Sequence, residues 1–152
     1  MKKKLSVTIT VLVALAIPAV VRAQDGVGLG KQLEATLKEK NDKRRLLESF
    51  AVDDSVEQKW SSDGKDVQVF VTEYSSAQEA ANVMELAVLN VAHAAIKQRL
   101  SGFGDEAYLI SDSRDTSVWL GIRQGKRYVV IHSSLDVAKK FARDISDYLV
   151  HN

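Results

Sequence analysis

The sequence predicts an α+β domain: a mainly antiparallel sheet of about four to five strands, with a long central helix and a C-terminal amphipathic helix packed on it. Three observations predict it. Val67, Val69 and Val71 alternate with polar or aromatic neighbours, as do Val118, Leu120 and Ile122, which is the period of a half-buried strand. Asp63-Gly64 and Gly125-Lys126 interrupt apolar runs where a two-residue hairpin turn fits. Residues 76–100 and 135–149 carry apolar side chains at helical spacing. Helices are expected on one face of the sheet.

Residues 1–23 stand apart. Lys2, Lys3 and Lys4 precede an apolar run from Leu5 to Val21, and Val21-Arg22-Ala23 places small residues at the −3 and −1 positions before Gln24. This is the layout of a secretory signal peptide, with cleavage expected between Ala23 and Gln24. Export to the periplasm or the medium follows, with the membrane engaged only through the leader. Lys2, Lys3, Lys4 and Arg22 carry four of the 21 basic residues, which leaves 17 against 20 acidic ones, a formal charge of −3 beyond the leader. A mildly acidic domain lacks the electrostatic footprint of a nucleic-acid binder. The chain has no cysteine. Disulfides, thiol nucleophiles and thiolate metal sites are therefore excluded together.

Beyond the leader, residues 24–30 (QDGVGLG) read as a flexible tether, and residues 31–152 as a single domain. Residues 31–50 read as a helix on Leu33, Leu37, Leu46, Leu47 and Phe50, with a basic stretch over residues 38–45. That stretch is a solvated helix face with local ion pairs, or a patch for an anionic partner or lipid headgroups. A short strand is expected over residues 56–60 and a firm one over residues 67–74. Ser76 and Glu79 form a capping box that opens a helix to about Leu100, ended by Gly102. From Asn82 to Lys97 its polar residues Asn82, Glu85, Asn90, His93 and Lys97 fall within an arc of about 140° at 100° per residue. The remaining apolar arc is wide enough for a second packing partner, and a homodimer through this helix is one reading.

Residues 107–110 and 116–123 read as strands. A turn with Gly125 in its first central position pairs Ile122 with Val129 and Leu120 with Ile131. Trp119, Arg123, Tyr128 and His132 then share the opposite face. Under a covering helix they are core and rim residues, the reading that the size of Trp119 favours. On an open face the aromatic and arginine cluster is a candidate interaction surface. Ser133 is expected to cap the last helix, with Asp136 in its first turn.

No constellation in the sequence identifies a reaction. His93, His132 and His151 belong to no HExxH or HxH pair, so no metal site is expected. There is no GxSxG and no calcium-loop array. Asp105-Glu106 follows two glycines and is expected to close a loop through hydrogen bonds to the backbone. No catalytic residue and no cofactor is assigned. The expected function is a non-enzymatic binding module for a protein or small ligand. The alternatives are a hydrolase with a non-local active site and a structural homodimer.

Four stretches carry a likeness: Val69-Phe70-Val71-Thr72-Glu73-Tyr74, residues 76–81, Gly104-Asp105-Glu106-Ala107-Tyr108 and residues 118–127. Together they resemble small exported bacterial domains of unknown function, some of them lipoproteins or extracytoplasmic sensor-like domains. The resemblance spans residues 67–149, without the lipoprotein cysteine. It implies an export-side α+β module and no activity.

Overall fold

The computed structural model describes residues 26–91, 96–112 and 114–151. Ala23, Gln24 and the whole leader lie outside the described residues, as does His93. The element order is α1 (Gly26–Lys40), β1 (Arg45–Val52), β2 (Ser55–Ser62), β3 (Lys65–Glu73), α2 (Ala77–Leu89), β4 (Ile96–Leu100), β5 (Glu106–Ser111), β6 (Ser117–Gln124), β7 (Arg127–Ser134) and α3 (Leu135–His151). The fold is α+β. Its single sheet has seven strands in the order β1-β2-β3-β7-β6-β5-β4, and every pairing is antiparallel. Two meanders therefore meet at the central β3–β7 pair.

The expected four to five strands become seven because two segments with helical spacing are strands. Residues 45–52 form β1 instead of the second half of a helix. Adjacent Leu46 and Leu47 satisfy a helical pattern. Here a bulge between Leu46 and Glu48 absorbs the extra residue, so Leu46 packs toward the core and Leu47 stays exposed. Residues 96–100 form β4 instead of the end of a long helix. The central helix is thus 13 residues long, with Asn90 as its C-cap. Gly102, with φ +84°, serves the β4–β5 connection and not a helix stop. Ser76 does cap α2, its side chain accepting from the Glu79 amide at 3.1 Å. Ser133 lies in β7 and donates to the Asp66 carbonyl at 2.8 Å, so it does not cap α3.

The helices occupy both faces, which corrects the expectation of one. The inner face of the sheet presents Val56, Trp60, Val67, Val69, Val71, Leu120, Ile122, Val129 and Ile131, all buried. Leu29, Leu33 and Leu37 of α1 and Val137, Phe141, Ala142 and Ile145 of α3 complete this core. α3 follows from its sequence: apolar residues recur every three to four positions and Leu149 closes the stripe. α2 contributes buried Ala80 and Met84 and lies over β6 and β7 on the outer face.

Residues 26–30 are the first turns of α1 and not a tether. The Gly26 amide donates to the Asp53 carbonyl at 2.6 Å, and a Cβ there would collide with the Ser55 and Asp53 carbonyl oxygens. Gly30 sits against Val56, where a Cβ would come within 3.1 Å of that side chain. The glycines thus let a helix press on a hairpin. Among the described residues, no helix is long and apolar enough to cross a membrane.

Candidate functional site

The outer face of the sheet differs from the inner one in kind. A cross-strand row runs Lys59, Gln68, His132, Trp119, Ile110 and Lys97 over six strands. Its neighbouring row runs Phe50, Glu57, Phe70, Val130, Gly121 and Tyr108. No side chain of the first row is fully buried. A sheet face that carries Trp119, Phe70, Val130 and Ile110 without sealing them is an amphipathic surface.

The expected register of β6 and β7 is the observed one: Ile122 opposite Val129 and Leu120 opposite Ile131. The hairpin turns at Gly125, whose φ is +55°. Trp119 therefore stands opposite His132, and Arg123 opposite Tyr128, all four on the outer face.

The two pairs have different surroundings. Tyr128 leans over Gly121, where a Cβ would meet the tyrosine hydroxyl oxygen at 3.0 Å. Burial pushes its hydroxyl pKa up to about 12, with Tyr74 adding to the effect. Arg123 bonds Asp105 at 3.1 Å and faces Glu106 at 3.6 Å. Asp105 in turn accepts from the Gly125 amide at 2.8 Å and from Gln124 at 3.1 Å. Asp105 thus closes the loop onto the β6–β7 turn, as the sequence predicts for that dipeptide. Arg123 is engaged in holding this loop.

Trp119 and His132 remain as the accessible pair. Their rings stack with centroids 4.1 Å apart and planes 16° from parallel. His132 Nε2 lies 3.0 Å from Ser117 Oγ, and Nδ1 lies 3.4 Å from Gln68 Oε1. Asp115 accepts from the Ser117 amide at 2.9 Å. Hydrogen bonds from the Ser117 amide and hydroxyl hold the Asp115 carboxyl below its usual range. Ser117 Oγ and Nε2 share one hydrogen bond whose donor follows the imidazole tautomer. Gln68 Oε1 faces Nδ1 and accepts from it when that nitrogen carries the ring proton.

Sequence reasoning missed Gln68, Ser117 and Asp115. The polar positions of the 67–74 strand place Gln68 on the outer face, but only the β3–β7 pairing puts it beside His132. Asp-x-Ser at residues 115–117 is a local turn pattern with no chemistry of its own.

Burial lowers the His132 pKa, and the nearby Asp115 charge opposes that without cancelling it. The folded imidazole is therefore neutral at pH 7, and its value lies below the unfolded one near 6.5. The unfolded chain takes up this proton first. The stabilisation is complete above the unfolded value and is lost as pH falls through the folded one. A protonated imidazole quenches a stacked indole, so Trp119 emission should fall with a midpoint below 6.5. A Trp119→Phe variant isolates the contribution of Trp60. A midpoint above 6.5 would mean that Asp115 dominates the site.

Among the described residues, no group of three or more His, Asp or Glu side chains could hold a metal ion. No family model matches the chain, and no curated protein or solved structure matches it.

Proposed function

We propose that this chain is an exported, non-enzymatic binding module that uses the outer sheet face around Trp119 and His132 to hold a protein or small ligand. The observation that carries the reading is the stacked indole–imidazole pair, half-buried and fixed by Gln68 and Ser117. A side chain held in one orientation loses little freedom on contact, which favours affinity. The surrounding Phe70, Val130 and Ile110 give apolar area, and Lys59 and Lys97 close the row at its ends. The fitting ligand offers a flat apolar surface with acceptor groups at its margins. The leader, with cleavage before Gln24, and the resemblance to export-side domains support the location.

Native mass spectrometry of the chain recovered from an exported fraction tests the reading. The expected spectrum shows a chain beginning at Gln24 with a bound partner or ligand, and Trp119→Ala loses that mass. A bare wild-type chain, or a bound mass that Trp119→Ala retains, overturns the assignment. A retained leader overturns the location.

A hydrolase reading draws on the 3.0 Å approach of Ser117 Oγ to His132 Nε2. A serine nucleophile must donate its proton to the imidazole. Nε2 accepts that proton in the tautomer protonated at Nδ1, where Gln68 Oε1 is the acceptor, so this reading rests on that one contact. A fluorophosphonate probe decides the matter: no labelling is expected. Labelling abolished by Ser117→Ala would establish an enzyme.

A further inference from the structure

On the inner side of the sheet, α1 ends at Lys40 and the chain turns through Asn41, Asp42 and Lys43 into β1. Asn41 organises this turn: its side chain accepts from the Lys43 amide at 3.0 Å and its carbonyl accepts from the Arg44 amide at 3.2 Å. The turn drives Arg44 under α3. Only 3% of the Arg44 side chain is exposed. Its guanidinium lies 4.2 Å over the Phe141 ring, bonds Asp144 at 2.6 Å and donates to the Leu37 carbonyl at 3.4 Å. Above this neutralised floor opens a groove of about 270 Å³, lined by Lys40, Asn41, Arg44, Lys140, Arg143 and Asp144.

Four of the six lining residues are cationic and one is anionic. Lys40 is paired with Asp147 at 3.0 Å. Lys140 and Arg143 are exposed, stand three residues apart on α3, and have no ion-pair partner among the described residues. This local excess of positive charge belongs to a domain whose formal charge beyond the leader is −3. At the end of α1 the Leu37 carbonyl is occupied by Arg44 and by the Asn41 amide. The groove is smaller than a drug-sized pocket. Arg143 offers the planar fork that matches two oxygens of a phosphate, with Lys140 as a point charge beside it.

We propose that this groove binds a phosphate oxyanion, with Lys140 and Arg143 as the ligand-contacting residues and the Arg44–Asp144 pair as their fixed floor. The phosphate belongs to a soluble phosphorylated compound or to the headgroup of an anionic lipid. The site is on the opposite side of the sheet from Trp119 and stands independently of the reading given above.

The test uses the chain without its leader and the double variant Lys140→Ala/Arg143→Ala. These side chains are exposed, so the variant keeps its fold, which amide spectra confirm. Inorganic phosphate should shift the backbone amide resonances of residues 40–44 and 140–144, with affinity falling roughly tenfold or more in the variant. Flotation with phosphatidylglycerol vesicles, against phosphatidylcholine vesicles, separates the sources. Salt-sensitive flotation that the double variant loses assigns a lipid headgroup. Phosphate-specific shifts without flotation assign a soluble ligand. Shifts matched by chloride at equal ionic strength, or binding unchanged in the variant, overturn the proposal.

Discussion

Trp60→Ala should lower the unfolding free energy by about 3–5 kcal/mol, the range for emptying a large aromatic site in a core. Trp60 is fully buried on the inner face of β2. Its ring meets Phe141 of α3 edge-on, with centroids 6.4 Å apart. Its Nε1–H donates to Gln58 Oε1 at 3.1 Å, and Gln58 Nε2 donates to the Gly30 carbonyl at 2.9 Å. One side chain thus joins the sheet to α3 through packing and to α1 through a fully buried amide. Its loss opens a cavity and strips Gln58 of a donor, costs that act in the same direction. In urea the midpoint should fall with the slope unchanged. Trp60→Phe should cost less, about 1–3 kcal/mol, because it keeps most of the apolar contact and orphans only the Gln58 oxygen. Equal losses in the two variants would show that the hydrogen bond, and not the volume, dominates.

The parts of this fold that were legible in the sequence are those governed by neighbours in the chain. The Asp63-Gly64 turn adopts positive φ at both residues, as that dipeptide favours. The β6–β7 register follows from one glycine and two alternating runs. α3 is legible because its apolar stripe is unbroken. The failures share a cause: an element whose partner lies far away in sequence. β1 is an edge strand, so only one of its sides is paired and much of its surface is wet. Its exposed Phe50 and bulged Leu47 blur the alternation that marks a strand. The glycines of residues 26–30 look like a tether until the β1–β2 hairpin arrives to fill the space that side chains would take. The wide apolar arc expected for the 76–100 helix combined a helix and a strand. In the short helix, only Ala80 and Met84 are buried, while Leu86 and Leu89 stay exposed.

The same division holds at the site. Trp119 and His132 could be placed together because one hairpin carries both. Gln68 arrives from β3, 64 residues from His132, and no local pattern announces it. The separation of Arg123 from the accessible pair was equally hidden. It depends on Asp105 reaching from the β4–β5 connection to the β6–β7 turn.

Glu73→Gln should destabilise the fold by about 3–5 kcal/mol, the range for breaking a buried ion pair from one side. Only 3% of the Glu73 side chain is exposed. It bonds Arg127 at 2.9 Å and Lys126 at 2.6 Å, and the Arg127 guanidinium lies 5.5 Å over the Tyr148 ring of α3. This cluster ties the end of the β3–β7 pair to the last helix. The Tyr148 hydroxyl continues it to Gln32 of α1 at 3.2 Å. Burial pushes the Glu73 pKa up, but the hydrogen bonds and charges of Lys126 and Arg127 together outweigh it and hold the carboxyl below its ordinary value. The sign for stability follows. An unfolded carboxylate takes up its proton at higher pH than the folded one, so this contribution is complete above the ordinary glutamate value and disappears as pH falls through the folded one. Wild type should therefore lose stability in acid more steeply than Glu73→Gln, and the two curves should converge at low pH. Glu73→Gln leaves the Arg127 charge buried, whereas replacing both partners by apolar residues removes that penalty. Glu73→Leu/Arg127→Met should accordingly recover much of the loss. If the double variant is as unstable as the single one, the cluster acts through the contact of Arg127 with Tyr148 of α3 and not through the charge pair itself.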